Sequence, residues 1–449
     1  MSGATVNYPL DGGATAPVAF PLRALPARSV SGQEADVDRV AGMTLTETTF
    51  SILLPLVRHL GVSPRFADVI RTFDTPPGHT PPGFRVEATL EPDGLLQADL
   101  VRDISYDADG LKRPTSVLYS ADSANPYEIA PIAPLIANLT CNPGIVYDLF
   151  INDPKANVGG VFETRDEVMT EIGRILGPGC DISVELNNPF EDDFDKILDE
   201  CERFKEILSE YRLVVKVPHT GPVNGHNVAD LLHGSKRLKQ RYDSPPTVDA
   251  LRGHNLALRL REHGYRINFT LMFEPYQTAL ALQAKPAFVN AFVRQRAQQS
   301  AAIAGLVARY DESHDLAHLA ELREVLLAND YLSSEETDRD PLECLALGRQ
   351  ILAHRNFDNP YGSDGLDSAR HTLRWLRQVN LPDTRLIICS MAGDLNYSDI
   401  DRLLTEPEYA DMVHRVVVTA EPGYLARFTS SNLVVSYQRR FMNAAAGQR

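Results

Sequence analysis

Three observations predict an α/β protein built on a (β/α)8 TIM barrel that carries an N-terminal extension and two large loop insertions. From about residue 115, eight short apolar, β-branched segments recur in order, separated by amphipathic stretches. Such alternation makes a parallel sheet, since parallel neighbours need a helical crossover between them. Eight repeats between residues 113 and 430 suit a closed barrel better than an open sheet.

The strand candidates span residues 115–122, 138–144, 181–186, 213–219, 267–273, 287–292, 385–391 and 415–421. The clearest helix is Asp192–Tyr211, in which Phe194, Ile197, Leu198, Cys201, Phe204, Ile207 and Leu208 form one apolar stripe. Asn188 and Pro189 read as its cap and first turn. A second helix runs from Thr247 to Glu262 and stops at Gly264. Two connections exceed what a minimal barrel needs, near 221–250 and 297–380. Loops after strand C-termini build the active face of such barrels, so both are expected to shape a pocket.

Before the barrel, residues 1–112 read as an appendage. The first 40 residues are rich in Ala, Gly, Pro and Ser and suggest a loosely draped arm. The apolar stretch Phe50–Leu60 reads as a helix, and Phe84–Leu90 with Leu95–Val101 as a β-hairpin around the turn Glu91-Pro92-Asp93-Gly94. Residues 431–449 read as a C-terminal tail.

Composition narrows the function. The chain has 449 residues and a net charge of -16, which disfavours binding to nucleic acid or an anionic membrane. No apolar run approaches a membrane span, and no secretory leader is visible. Five dispersed cysteines without a C-x-x-C pair suit reduced thiols in a cytoplasm. The histidines show no ligand spacing, so no metal is expected. A homo-oligomer is compatible with all of this.

Lys216 carries the chemistry. It interrupts the buried run Leu213-Val214-Val215-Lys216-Val217-Pro218, where an ammonium costs several kcal/mol unless paired or neutral. A lysine held neutral by burial is a nucleophile toward carbonyl carbon. The alternative is a strand-end lysine that snorkels to solvent or pairs with an acid. Strand C-termini supply companions: Asp122, Thr140, Asn142, Glu185, Thr270 and Ser390. A lysine with two acids and several hydroxyl or amide groups is the set that imine formation and proton transfer require. Asp122 could instead cap a turn, Glu185 could be a solvated loop acid, and Asn142 with Thr140 could serve only the Asn-Pro-Gly turn.

The segments Asp122-Ser123-Ala124-Asn125-Pro126-Tyr127-Glu128-Ile129 and Leu139-Thr140-Cys141-Asn142-Pro143-Gly144-Ile145 resemble the first two strands of transaldolases. Val215-Lys216-Val217-Pro218 is similar to their Schiff-base strand, and Ile267-Asn268-Phe269-Thr270-Leu271-Met272-Phe273 to the strand that follows. Ala287–Val293 and Ile388-Cys389-Ser390-Met391 are similar to the sixth and seventh. The resemblance implies class I aldolase chemistry without a metal or organic cofactor, with Lys216 attacking the ketone of a ketose. It implies that Asp122 takes the C4 hydroxyl proton, that Glu185 works through a water held by Thr270, and that Asn142 holds the three-carbon unit. Thr140, Ser390, Asn290, Arg294, Arg296 and His219 are the further substrate-binding candidates. Sugar substrates, phosphorylated ones in the family, are the implied partners.

The sequence also departs from the family pattern. The sixth-strand pattern S-P-F-V-G-R becomes Asn290-Ala291-Phe292-Val293-Arg294-Gln295, which puts Gln295 at the phosphate arginine and leaves Arg294 and Arg296 one residue off. In the seventh, A-S-F-R becomes Cys389-Ser390-Met391-Ala392, so the second arginine is absent. The basic run His233–Arg241 in the first insertion is a candidate replacement clamp, against the alternative of a solvated helix face. Three functions follow from these readings: a transferase of a dihydroxyacetone unit in a specialised sugar-building pathway rather than central pentose phosphate metabolism, a Schiff-base lyase, or a noncatalytic barrel scaffold.

Overall fold

The computed structural model describes residues 7–9, 19–76, 79–355, 362–390, 395–424 and 430–447. Met391 and Ala392 lie outside the described residues. The chain forms two compact units, Met1–Pro114 with Leu176–Asp181, and Thr115–Ile175 with Ile182–Arg449.

The larger unit is a closed parallel barrel of eight strands: Leu118–Asp122 (β1), Ile136–Cys141 (β2), Asp181–Glu185 (β3), Leu213–Pro218 (β4), Ile267–Thr270 (β5), Phe288–Val293 (β6), Arg385–Ser390 (β7) and Val416–Ala420 (β8). Each strand expected from the sequence is present, with ends moved by a few residues. Every residue of β2, β4, β5 and β8 is buried, as expected for strands covered on one face by helices and on the other by the barrel interior. Beneath the mouth lies a satisfied polar layer. The Asn138 amide donates to Ser120 Oγ at 2.9 Å, and the Ser183 hydroxyl donates to Asn138 Oδ1 at 3.1 Å.

Phe194–Leu208 is the helix read from the apolar stripe, and it buries Phe194, Ile197, Cys201, Phe204 and Leu208. Its cap is Asp193, which accepts from the Asp195 N–H, and not Asn188. Asn188 instead closes its own turn by accepting from Phe190 N–H. The second helix is split into Thr247–Ala250 and Arg252–Glu262. Gly253 lets it approach the end of β4, because a Cβ there would sit 1.9 Å from the Pro218 carbonyl oxygen.

Among the described residues the second insertion holds four helices, Gln295–Ser313, Leu316–Ala328, Pro341–Arg355 and Asp367–Gln378, of which all but the last pack around Ile303, Leu319, Leu322, Leu326 and Cys344. In the first, only Val228–Leu232 is helical before the basic run, so His233–Arg241 is not the face of a helix. The tail contains an exposed helix, Asn432–Ala445.

The smaller unit holds a five-stranded sheet in which Phe84–Leu90 and Leu95–Arg102 form the expected hairpin, with Leu90 opposite Leu96. Two expectations are corrected here. Residues 19–40 are not a loose arm: Leu22 and Leu25 are buried, and the helix Glu34–Val40 buries Val37 and Val40. Phe50–Leu60 is not one helix, because Glu47–Leu53 ends and His59–Val62 begins a strand paired with Arg28–Ser29 and Leu95–Ala98. Strand pairing overrides the local apolar pattern there. Among the described residues, no helix is long and apolar enough to cross a membrane.

Candidate active site

Register assembles the site. Glu185 of β3 pairs with Lys216 of β4, which pairs with Asn268 of β5. In parallel strands, paired residues face the same side, so these three form one layer inside the barrel. Thr270 pairs with Pro218 one layer further toward the mouth, and Asp122 is level with Thr140 across β1 and β2.

Lys216 is 7% exposed, and its Nζ lies 3.2 Å from Glu185 Oε2. The snorkelling alternative fails, because the side chain ends against an acid inside the barrel. Burial pushes the amine down, but Glu185 and then Asp122 outweigh it and hold the amine above its ordinary value. This corrects the expectation of a neutral resting lysine: two carboxylates face it, and desolvation alone does not decide its charge. Asp122 moves the other way from an ordinary paired acid. Its burial raises it, and the attraction of Lys216 compensates only in part.

Several buried polar atoms here have no protein partner among the described residues: Asp122 Oδ1, Thr140 Oγ1 and Asn268 Nδ2. Buried groups of this kind are rare unless water or a ligand satisfies them. Asn142 divides its side chain. Oδ1 accepts from the Ile145 N–H at 2.9 Å at the start of the π-helix Gly144–Ile151, so the turn role holds for one end only. Arg165 braces the end of β3 by donating to Asn187 Oδ1 at 2.8 Å and Glu200 Oε1 at 2.6 Å.

Three candidates are placed elsewhere or otherwise engaged. His219 is fully buried, its ring set edge-on against Phe269 and its Nε2 3.3 Å from His254 Nδ1. It follows Pro218, so alternation turns it to the outside of the barrel, away from Lys216. Burial and then His254 push its pKa down to about 3, which keeps the imidazole neutral. Ser390 is opposite Val293, whereas Cys389 is opposite Phe292, in step with Asn290 opposite Ile387. Cys389, not Ser390, therefore shares the inward face, and its thiol donates to Asn290 Oδ1 at 3.3 Å. Asn290 gives both amide hydrogens to the barrel, to Asn268 Oδ1 at 2.7 Å and to the Phe269 carbonyl. Cys389 and Asn268 are the residues missed in the sequence: one step of phase separates Cys389 from Ser390, and Asn268 stands within Ile267–Phe273.

The arginines are committed to internal acids. Arg294 makes a bidentate pair with Asp399. Arg296 binds Glu274 at 2.7 Å and also Asp367. Arg294 has φ of 69°, a left-handed conformation, at the position where the family pattern has glycine. Its N–H donates to the Gly365 carbonyl at 2.8 Å, and the Asp399 pair holds it there. In the basic run, Arg237 binds Asp330 at 2.7 Å and the Leu327 carbonyl, Lys239 binds Asp230 and Arg241 binds Asp243. Arg237 fastens one insertion to the other, while Lys239 and Arg241 pair within their own. Accordingly, Arg296→Ala is expected to lower stability by on the order of 3 kcal/mol, as for a partly buried ion network opened on one side. It should leave the KM ratio of phosphorylated to unphosphorylated substrates unchanged; thermal melts and steady-state kinetics check the two halves.

A closed parallel barrel with a buried lysine against Glu185 and in the field of Asp122 has the groups that Schiff-base chemistry needs. Residues 119–324 match the model of the family described as Transaldolase/Fructose-6-phosphate aldolase. Over those residues, somewhat under half of the chain, the barrel is similar to that family. No curated protein matches the chain at a significant level.

Proposed function

We propose that this protein is a transaldolase-like transferase that moves a dihydroxyacetone unit from a ketose to an aldehyde acceptor. The observation that carries the reading is the Lys216–Glu185 contact at 3.2 Å beside Asp122, whose Oδ1 has no hydrogen-bond partner among the described residues. In that contact Lys216 passes a proton to Glu185, which generates the neutral amine without moving charge into solvent. The amine attacks the ketone carbon, and Glu185 returns a proton as water leaves and the imine forms. Asp122 accepts the C4 hydroxyl proton while the C3–C4 bond breaks. The aldehyde departs, and the electron pair stays on the three-carbon unit as an enamine. Asn142, whose Nδ2 is not used by the turn, donates to that unit. Thr270, one layer above Lys216, holds the water through which Glu185 acts. A second aldehyde takes up the enamine carbon, and hydrolysis of the new imine releases product.

Incubation of fructose, fructose 6-phosphate and sedoheptulose 7-phosphate with and without an aldehyde acceptor separates the two catalytic readings. A transferase converts donor only when acceptor is present. Release of free dihydroxyacetone at an equal rate without acceptor supports the lyase instead.

Asp122 supplies a stability prediction. Its folded pKa is raised, so its contribution to stability is greatest below the ordinary carboxylate value and is lost as pH rises through the folded one. Asp122→Asn is therefore expected to remove activity, to stabilise the fold at neutral pH by roughly 1–3 kcal/mol, and to flatten the acid side of the stability profile. Denaturant titrations across pH measure it. A less stable Asp122→Asn protein at neutral pH would contradict the assignment.

A further inference from the structure

Beyond the catalytic layer, the two insertions enclose a cavity of about 660 Å³ at the C-terminal ends of β4, β5 and β6. Thr220 and Gly221 of its floor follow the Lys216 strand, Leu271 follows Thr270, and Gln295 follows β6. It is a compartment on the same face of the barrel as the lysine. A rise of about 3.3 Å per residue puts Thr220 some 13 Å along from Lys216, the reach of an extended substrate.

The walls are aromatic. Tyr242 meets Tyr331 edge-on at 5.7 Å, and Tyr276 meets His354 in the same way at 5.7 Å. Burial raises both the Tyr242 and Tyr276 phenols, so both are neutral donors at neutral pH. Each lacks a hydroxyl partner among the described residues, and the Gln295 amide is likewise unengaged. Tyr331 is different, since its hydroxyl donates to Gln299.

Charge in the cavity is already cancelled from within. Arg296 and Arg355 both bind Glu274, and Arg241 binds Asp243. An incoming phosphate would compete with a carboxylate already bound at each arginine, and at Arg296 and Arg355 that carboxylate is the part-buried Glu274. Ring faces with unengaged hydroxyl and amide groups suit a different ligand, one with an apolar face and hydrogen-bonding edges.

We propose that this cavity receives the far end of the aldehyde acceptor, and that this end is an uncharged ring and not a phosphate. The inference rests on the transferase reading and specifies its substrate class. An aryl group and a sugar ring share the required chemistry.

The test uses the full-length protein, a ketose donor and four acceptors that differ only at the 3-oxygen: glyceraldehyde, glyceraldehyde 3-phosphate, 3-O-benzylglyceraldehyde and 3-O-glucosylglyceraldehyde. At least one ring-bearing acceptor is expected to show a KM tenfold or more below that of the phosphate. Whichever ring gives the lower KM identifies the source. The double variant Tyr242→Ala, Tyr276→Ala is expected to raise that KM at least tenfold. The KM for glyceraldehyde and the adduct trapped on Lys216 should not change. A preference for the phosphate, or a double variant with unchanged ring KM, overturns the inference while the transferase reading stands. Failure to trap any donor on Lys216 overturns both.

Discussion

Lys216→Met is expected to abolish borohydride-trapped adducts and to reduce turnover by on the order of 10⁴-fold or more, with the fold retained. No other described group is placed to serve as the amine: the paired neighbours on β3 and β5 are Glu185 and Asn268. Covalent catalysis through an imine cannot be supplied in part, so the loss should appear in kcat and not in KM alone. Stability is a useful internal control. Removing Lys216 leaves Glu185 and Asp122 as like charges in a buried site, so acid conditions should stabilise the variant relative to the native chain. Folding of the variant is checked by circular dichroism, and its chemistry by stopped assays with the preferred donor. Turnover within tenfold of the native protein would remove Lys216 from the mechanism.

Glu185→Gln should have the second-largest effect, and its signature is a split. Glu185 is the leading cause that raises the Lys216 amine, so its neutralisation leaves burial less opposed. The amine then titrates lower, and the alkaline rise in the rate of imine formation should move toward neutral pH. Sign and direction agree: a group held above its ordinary value by an acid drops when the acid becomes an amide. Turnover nevertheless falls by about 10²–10⁴-fold, because the proton that must leave with water and return on hydrolysis has lost its carrier. Single-turnover trapping across pH reports the first effect and steady-state kcat the second. A variant that loses turnover without any shift in the trapping profile would reduce Glu185 to a structural neighbour.

Much of this architecture was legible because buried parallel strands are written as short β-branched runs, and β4 and β8 are buried throughout. The inward layer of Lys216, Glu185, Asp122 and Thr140 followed from strand ends and alternation alone. What alternation cannot supply is phase at the end of a strand. His219 and Ser390 each lie one position from an inward residue, and a single step turns a side chain to the other face. Ion pairing was less legible still. Arg294 finds Asp399 and Arg296 finds Asp367 across more than a strand and a helix, so nothing local announces that these arginines are occupied. The charge of Lys216 was misjudged for a related reason. Its run of neighbours in sequence shows only burial, while the acids that reverse the shift stand on two other strands. In the N-terminal unit, Ala, Gly and Pro concealed order that comes from tertiary burial of Leu22, Leu25 and Val37.

Reaction of the native protein with a ketose, reduction with borohydride and peptide mapping form the most direct test. The account predicts one reduced three-carbon unit on the peptide containing Lys216, abolished by excess aldehyde acceptor added before the reductant. An unmodified protein, or an adduct confined to any other lysine, would contradict it.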